Sequence, residues 1–352
     1  MTRNRKWLWG LAAGAAVLAG ALWLRRQRSG SPAPWEYPAP PDPLPGLGVR
    51  AESRYFDVNG ISMHAVTAGE PGRPLVVLLH GFPESWYSWR HQIAPLVAAG
   101  FRVAAPDQRG YGRTAKAPPY SVGTLVEDVA GLIHALGYER AHVAGHDWGA
   151  AVAWACAVRH PDLVSRLAIL NVPHPAVMQA ALRGGNPRQI GRSWYMFFFQ
   201  IPNLPEWLLG RDDFAFLERV MVNSSLPGTF TAEDLAQYKQ AWREPGALPA
   251  MLGWYRTIIR RAVSGRGRTP AIDRDRRAPG ADQRVTMPTL VLWGEHDIAL
   301  GVELAEESMQ WVEHGELVRL PDATHWVHED RPEEVGERLV IHFTAAARPP
   351  AR

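Results

Sequence analysis

Residues 145–150 read Gly-His-Asp-Trp-Gly-Ala, so two glycines flank an aspartate at the spacing Gly-x-Asp-x-Gly. This spacing is typical of a strand that turns sharply into a helix, where the central residue is strained and the glycines let the two elements pack closely. The segment AHVAGHD before the turn is short and apolar, and WGAAVAWACAVRHPD after it has the character of a buried helix. The sequence therefore predicts a strand, a turn and a helix, with Asp147 where such turns commonly carry a serine nucleophile.

The rest of the chain alternates between strand-like and helical patterns from about residue 53. The segment RYFDVNGISMHAVTAG predicts a hairpin that turns at Asn59-Gly60, and short buried strands follow in PLVVLLH, FRVAAPD, LAILN, PTLVLWGEHD and GELVRLPDATH. Residues 172–270 are rich in aromatic side chains, have helical periodicity and contain no strand pattern. We expect a parallel α/β sheet, interrupted by a helical insertion, with its chemistry in the loops after the strands.

Composition narrows the classes of function. The 352 residues are 46% hydrophobic and 21% charged, which suits one large globular domain with an insertion. The net charge of +3 is small, and no zinc-type cluster, P-loop or dinucleotide glycine fingerprint occurs, so we expect no cofactor, no metal and no nucleic-acid partner. The single cysteine, Cys156, excludes an internal disulfide and is interpreted as a buried structural residue. His146 and His174 are interpreted as packing or hydrogen-bonding residues near the site.

The N-terminus differs from the remainder of the chain. Residues 7–24 carry no charge, and as a helix they would span roughly 27 Å, close to the thickness of the bilayer hydrocarbon. Tryptophans lie near both ends of the segment and basic residues flank it on both sides, so the positive-inside rule selects no orientation. We expect an uncleaved, single-pass membrane anchor; a cleaved signal peptide is the alternative, disfavoured by the RRQRSG that follows.

Two other segments are polar or rich in proline. The Pro-rich stretch after the anchor predicts an extended, semi-rigid spacer between membrane and domain. Residues 260–284 are polar and rich in glycine and proline, which indicates a solvated loop.

Later loops supply the partners that a nucleophilic turn requires. Hydrolases with this turn take their general base and its orienting acid in the chain order nucleophile, acid, histidine. Asp297 follows the strand in LVLWGEHD and His325 lies in PDATHWVHED, so the order is met. Glu295 is an alternative acid, and His328 is an alternative base.

The chain from about 53 to 345 resembles an epoxide hydrolase of the α/β-hydrolase superfamily. The resemblance rests on HGFPESWYSWR (80–90), DQRGYGRT (107–114), GHDWGA and the Asp297 and His325 loops. It implies a mostly parallel sheet with helices on both faces, a helical cap inserted after the sixth strand, and here one N-terminal transmembrane helix before the domain. The predicted division is an anchor with flanks at 1–30, a Pro-rich linker at 31–52, core at 53–171, cap and polar loop at 172–284, core at 285–347 and a tail at 348–352.

The insertion carries the residues that separate the branches of this superfamily. The resemblance places Tyr195 and Tyr255 at the two positions where epoxide hydrolases carry epoxide-activating tyrosines, and it makes the backbone N–H groups of Phe82 and Trp148 the oxyanion hole. Haloalkane dehalogenases commonly have a halide-binding Asn at the position of Phe82, whereas Trp148 suits both groups.

These residues predict an epoxide hydrolase that forms a vicinal diol through an ester on Asp147, which water activated by His325 and Asp297 then hydrolyses. The many aromatic side chains of the insertion and the predicted anchor favour a lipophilic epoxide as substrate. The anchor also makes the lipid bilayer an expected partner. Two alternatives stay open: a haloalkane or haloacetate dehalogenase with the same nucleophile, and a non-catalytic, membrane-tethered scaffold that binds an apolar ligand.

Overall fold

The computed structural model describes residues 47–184, 186–263 and 283–345. One eight-stranded sheet forms its centre, made of β1 (Ala51–Val58), β2 (Ile61–Ala68), β3 (Leu75–Leu79), β4 (Arg102–Pro106), β5 (Ala141–His146), β6 (Val164–Leu170), β7 (Thr289–Gly294) and β8 (Gly315–Leu320). The strand order is β1-β2-β4-β3-β5-β6-β7-β8. The β1–β2 and β2–β4 pairs are antiparallel and the other five are parallel, which confirms the predicted α/β fold with a mostly parallel sheet.

The predicted hairpin joins β1 to β2. Val58 pairs with Ile61 across a two-residue turn in which Asn59 and Gly60 have φ values of 44° and 75°. Both residues tolerate the left-handed region, and successive positive φ angles are the geometry that matches the twist of two antiparallel strands. The Asn-Gly pair therefore sets the register of the first two strands.

Helices cover both faces of the sheet and form the insertion. They are α1 (Arg90–Ala98), α2 (Val122–Ala135), α3 (Trp148–Arg159), α4 (Pro175–Arg183), α5 (Pro187–Arg192), α6 (Trp194–Phe198), α7 (Leu204–Ser224), α8 (Ala232–Arg243), α9 (Ala247–Val263), α10 (Glu303–Ser308), α11 (Val327–Asp330) and α12 (Pro332–Thr344). Single 3₁₀ turns occur at Trp86–Trp89 and Met309–Trp311.

Two apolar cores lie on opposite faces of the sheet. In the central strand β3, Val77 and Leu79 belong to one core and Val76 and Leu78 to the other, because successive side chains of a strand point to opposite faces. Helices α2 and α3 cover the first core, and α1 and α12 cover the second. The central strands are therefore buried on both faces, and their carboxyl ends are the edge where loops are free to carry chemistry.

Helices α4 to α9 form a cap between β6 and β7. Buried indoles tie the cap to the core: Trp242 Nε1 donates to the carbonyl of Pro83 at 2.5 Å, and Trp254 Nε1 donates to the carbonyl of Arg109 at 3.0 Å. Both acceptors lie in the loops that contain HGFPESWYSWR and DQRGYGRT. The cap is thus held against the loops that surround the strand ends.

The predicted anchor at 7–24, the Pro-rich spacer up to residue 46, residues 264–282 of the polar loop and the tail lie outside the described residues. Within the described ranges, no helix is both long enough and apolar enough to cross a membrane.

Candidate active site

Asp147 occupies the turn between β5 and α3. Its backbone has φ 47° and ψ −121°, a conformation that L-residues rarely adopt and that close packing must enforce. A Cβ atom at Gly149 would collide with the backbone carbonyl of Leu79, and one at Gly145 would collide with the backbone carbonyl of Gly149. Both glycines are required by this close approach, so the sequence spacing reflects the geometry that presents the Asp147 carboxylate.

His325 lies between Asp147 and the acid at the end of β7. Its Nδ1 atom is 2.7 Å from Asp297 Oδ2, and its Nε2 atom is 3.7 Å from Asp147 Oδ2. Since a carboxylate only accepts, the Nδ1–H donates to Asp297, which leaves Nε2 facing Asp147. The structure therefore brings together the three residues that the sequence selected from separate loops.

Asp297 is held by more donors than the sequence suggested. Its Oδ1 accepts the backbone N–H groups of Ala299 and Leu300 at 2.7 and 2.9 Å, and its Oδ2 accepts Nδ2 of Asn171 at 2.8 Å. Asn171 ends β6 with φ 52°, and its Oδ1 accepts the N–H of Gly294 at 3.0 Å. Asn171 therefore fixes both the acid and the strand that carries it, a role that the sequence analysis missed.

The two alternative residues lie elsewhere. Glu295 pairs with Arg319 at 2.7 Å near the surface, and the structure places Asp297 rather than Glu295 on His325. His328 is fully buried, 4.9 Å from Trp89 between ring centroids, and faces Glu84 instead of Asp147.

Charge around His325 favours its protonated form. Burial lowers the pKa of His325, but the carboxylates of Asp297 and Asp147 outweigh that effect, and the pKa lies well above its usual value. Burial likewise raises the pKa of Asp147, but contacts with His325, the nearby His146 and the N–H of Phe82 prevail, and the pKa of this carboxyl is lowered. The nucleophile is therefore ionised without the help of a base.

Tyr195 on α6 and Tyr255 on α9 meet above the turn. Their ring centroids are 5.8 Å apart, and the Tyr255 ring lies 5.0 Å from Trp148, the residue that follows Asp147. Burial and the nearby Asp147 charge raise the pKa of both phenols well above the usual value of 10. Both hydroxyls are consequently protonated at neutral pH and able to donate.

The backbone N–H of Phe82 donates to Asp147 Oδ1 at 2.8 Å, as an oxyanion donor would. No hydrogen bond links Trp148 N–H to this carboxylate in the described part of the chain. The Phe82 ring contacts Tyr255 at a centroid distance of 5.4 Å. The Phe82 side chain thus contributes an apolar surface, and its backbone a donor.

A buried Glu–His pair lies directly behind His325. His146 Nε2 is 2.8 Å from the carbonyl of His325, so it carries the proton, and His146 Nδ1 is 2.9 Å from Glu84 Oε1. The second pair is close enough for an ion pair, but neither atom has a hydrogen-bond partner among the described residues. The hydrogen bond of His146 near the site agrees with its interpretation from the sequence, whereas Glu84 was not identified, although it lies in the HGFPESWYSWR motif.

Glu84, His146 and His328 also form a group whose ligand atoms lie within 4.8 Å of one another and could hold a metal ion. Two ligands of a tetrahedral metal with bonds of about 2.0 Å are about 3.3 Å apart. The 2.9 Å between Glu84 Oε1 and His146 Nδ1 is shorter than this spacing, so these two atoms lie closer together than two ligands of one ion.

The chain is similar to known α/β hydrolases. Residues 74–189 match the family model described as alpha/beta hydrolase fold. The chain is 38% identical over 299 residues to AB hydrolase superfamily protein YfhM of Bacillus subtilis, covering 84% of this chain and 98% of that protein. It is 37% identical to Epoxide hydrolase 4 of Homo sapiens, covering 84% of this chain and 79% of that protein.

A solved structure is similar over the same region. The crystal structure of Epoxide Hydrolase A from Mycobacterium thermoresistibile matches with a TM-score of 0.71 at 32% identity, covering 85% of this chain and all of that one. With an aspartate at the turn, an Asp–His pair beside it and two tyrosines above it, the chain belongs to the epoxide hydrolases of the α/β-hydrolase superfamily.

Proposed function

We propose that this enzyme hydrolyses a lipophilic epoxide to a vicinal diol through a covalent ester on Asp147. The observation that carries the proposal is the position of two protonated phenols, Tyr195 and Tyr255, over one ionised carboxylate. Opening an epoxide requires a nucleophile at a saturated carbon and a proton donor for the oxygen that leaves. This site supplies both groups.

The first step forms the ester. Asp147 Oδ1 is occupied by the N–H of Phe82, so Oδ2 is the oxygen that is free to attack. A bond forms between Oδ2 and an epoxide carbon while the carbon–oxygen bond of the ring breaks. The oxygen released takes a proton from Tyr195 or Tyr255, and no base is consumed.

The second step cleaves the ester at its carbonyl carbon. His325 Nε2 removes a proton from water, which attacks the carbonyl, while Asp297 holds the imidazole through Nδ1. Negative charge then develops on Oδ1, where Phe82 N–H already donates. On collapse the hydroxyl proton of the added water passes to the departing diol oxygen, and the Asp147 carboxylate is restored. His325 keeps the proton that it took from water, which returns it to the protonated form of the free enzyme.

The charge of Asp147 controls the pKa of His325, and this charge differs between the two steps. In the free enzyme both Asp297 and Asp147 raise the pKa of His325 and keep it protonated. Formation of the ester removes the charge of Asp147, so the pKa of His325 falls. Its proton then passes to the tyrosinate left by ring opening, which leaves the neutral base that the second step needs. Formation of the ester therefore favours its subsequent hydrolysis.

A dehalogenase would use the same carboxylate but needs donors for a halide ion. The HGFP loop offers an apolar ring at Phe82 where a halide-binding amide would be required. The protonated tyrosines are redundant for a halide, which leaves without a proton. These features favour the epoxide, and the full set of reactive groups disfavours a binding scaffold without turnover.

We also propose that residues 7–24 anchor the enzyme in a membrane through a single N-terminal helix. The support is the uncharged length of this segment, its terminal tryptophans and its basic flanks. Such an anchor would hold the enzyme beside the phase in which lipophilic epoxides dissolve.

Product analysis tests the proposed reaction. The full chain, purified in mild detergent, is incubated with styrene oxide, stilbene oxide or an epoxy fatty acid, and in parallel with a haloalkane and a haloacetate. We expect diol from at least one epoxide and no halide release, with Asp147→Asn as the inactive control. Halide release without diol would establish the dehalogenase, and ligand binding with every substrate intact would establish the scaffold.

A further inference from the structure

Large exposed apolar side chains are concentrated in one short segment of the cap. Of the ten exposed large hydrophobic residues in the described ranges, six fall within residues 190–207, and Trp194, Phe197 and Trp207 are 56–60% exposed. We call these six the apolar cap surface: Ile190, Trp194, Phe197, Ile201, Leu204 and Trp207. A group of exposed apolar side chains of this size marks a site where a membrane or another protein binds.

The helix that carries part of this surface also carries a residue of the site. In α6, Trp194 and Phe197 face outward, whereas Tyr195 contacts Tyr255 and Phe199 at centroid distances of 5.8 and 5.7 Å. Phe199 in turn contacts Phe82 at 5.7 Å. Trp194 and Phe197 of the apolar cap surface therefore lie on the same five-residue helix as Tyr195 of the site.

Cationic side chains border the apolar cap surface. Arg188 and Arg192 on α5 are exposed, and neither has an ion-pair partner among the residues that the structure describes. Arg211 also lies over the ring of Trp207 at 4.9 Å, but it is paired with Asp212 at 2.8 Å, so the unpaired positive charge is that of Arg188 and Arg192. Tryptophan beside arginine is the pairing that suits the boundary between lipid chains and anionic headgroups. A second copy of this chain would bring the same cations against each other.

We propose that the apolar cap surface inserts into the headgroup region of a lipid bilayer, so that α6 lies between the membrane and the active site. The partner is the lipid surface itself, with Trp194, Phe197 and Trp207 among the acyl chains and Arg188 and Arg192 at the phosphates. This inference rests on the proposed function for its purpose, since lipophilic epoxides would pass from the bilayer to the site without crossing water. Its physical content, insertion of a named surface, is independent of the reaction.

Spin labels measure this insertion directly. The full chain is reconstituted into vesicles of neutral and anionic phospholipid, with a nitroxide on Phe197→Cys or Trp207→Cys; Ile341→Cys is the matched control, an apolar residue 68% exposed on α12. Cys156 is fully buried, so labelling is confined to the new thiol. We expect labels at 197 and 207 to collide readily with oxygen and poorly with a nickel chelate, as in lipid, and the label at 341 to collide with both.

The other outcomes overturn the proposal. Ready collision with the nickel chelate at 197 and 207 would mean that the surface stays in water. Poor collision with both reagents would mean that protein covers it, either a second copy or another segment of this chain. None of these measurements needs a substrate, so they stand even if no epoxide is hydrolysed.

A kinetic comparison tests the consequence for substrate entry. In Phe197→Gln/Trp207→Gln we expect hydrolysis of an epoxy fatty acid presented in vesicles to fall by about fivefold or more, because less apolar area is available for insertion. Hydrolysis of a small water-soluble epoxide should stay within about twofold, since neither side chain contacts the reacting groups. Ile341→Gln should change neither rate. Equal losses for both substrates would contradict delivery from the membrane.

Discussion

His325 Nε2 lies 3.7 Å from Asp147 Oδ2, whereas His325 Nδ1 lies 2.7 Å from Asp297 Oδ2. The histidine is therefore hydrogen-bonded to the acid and stands back from the nucleophile. A hydrogen bond to Asp147 would compete with attack on the epoxide, and the longer distance avoids it. The same gap leaves room for the hydrolytic water after the ester has formed.

Removing the imidazole of His325 should stop the reaction after the ester has formed. In His325→Ala we expect Asp147 to be alkylated as before, because the carboxylate is ionised without a base, and the ester to persist. Intact-mass spectrometry should show an adduct equal to the mass of one epoxide, and peptide mapping should place it on Asp147. The double variant His325→Ala/Asp147→Asn is the control and should show no adduct. If the single variant His325→Ala is folded but forms no adduct, the two-step scheme is contradicted.

The phenols should act on the first step alone. Tyr195→Phe and Tyr255→Phe keep the ring contacts with Phe199 and Trp148 but remove the proton donors, and we expect each to slow alkylation by about 10²-fold, the lower range for a lost general acid. Stopped-flow fluorescence and quenched-flow mass spectrometry measure that step separately from ester hydrolysis.

Tyr111→Phe is the matched control for the phenols. Tyr111 is fully buried, its ring packs edge-on against His80 at 4.9 Å, and its hydroxyl has no hydrogen bond among the described residues. We expect its alkylation rate to stay within about threefold of wild type. A similar loss in all three variants would show that ring packing, not proton donation, was disturbed.

The sequence predicted those features whose physical cause is local. The turn at Asp147 needs glycine where backbones touch, the hairpin needs Asn59-Gly60 for positive φ, and the buried strands need continuous apolar runs. Each cause leaves a mark within a few residues, so the mostly parallel sheet and the order of reactive loops could be read directly. The roles of Tyr195 and Tyr255 came from family resemblance, because nothing in the neighbouring sequence distinguishes a catalytic tyrosine in a helix from a packing one.

Contacts between distant segments could not be predicted in the same way. Asn171 and Asp297 are separated by 126 positions, and Glu84 and His146 by 62. A single asparagine at the end of a strand has no distinctive spacing, and its partner depends on which strand becomes its neighbour in the sheet. Exposure of the apolar cap surface is likewise a property of helix orientation, whereas the sequence shows only that this region is aromatic.

Asn171 should matter for ester hydrolysis more than for alkylation. In Asn171→Ala, Asp297 loses the donor at 2.8 Å and Gly294 N–H loses its acceptor, so the acid that orients His325 is less firmly held. A hydrogen bond to a charged group contributes about 1.5–3 kcal/mol, and we expect ester hydrolysis to slow by about tenfold or more. Pre-steady-state kinetics should show little change in alkylation. Equal slowing of both steps would indicate general distortion of the site.

Acid should destabilise the fold through His174, which begins α4. Its Nδ1 accepts the N–H of Ala176 at 3.2 Å, its ring stacks on Trp311 at 5.1 Å, and burial lowers its pKa to about 4. Because the unfolded chain binds this proton near pH 6.5, the stability is present above that pH and is lost as pH falls from 6.5 towards 4, by up to about 3 kcal/mol.

His174→Asn separates this titration from the loss of the ring. Asparagine can still accept the helix N-terminal N–H but does not titrate, so the variant should be less stable at pH 7 and lose less stability on acidification. Urea unfolding at pH 7 and pH 4.5 gives the difference for wild type, for the variant and for His134→Asn, an exposed histidine as control. If wild type and His174→Asn lose equal free energy between these pH values, acid acts through other groups.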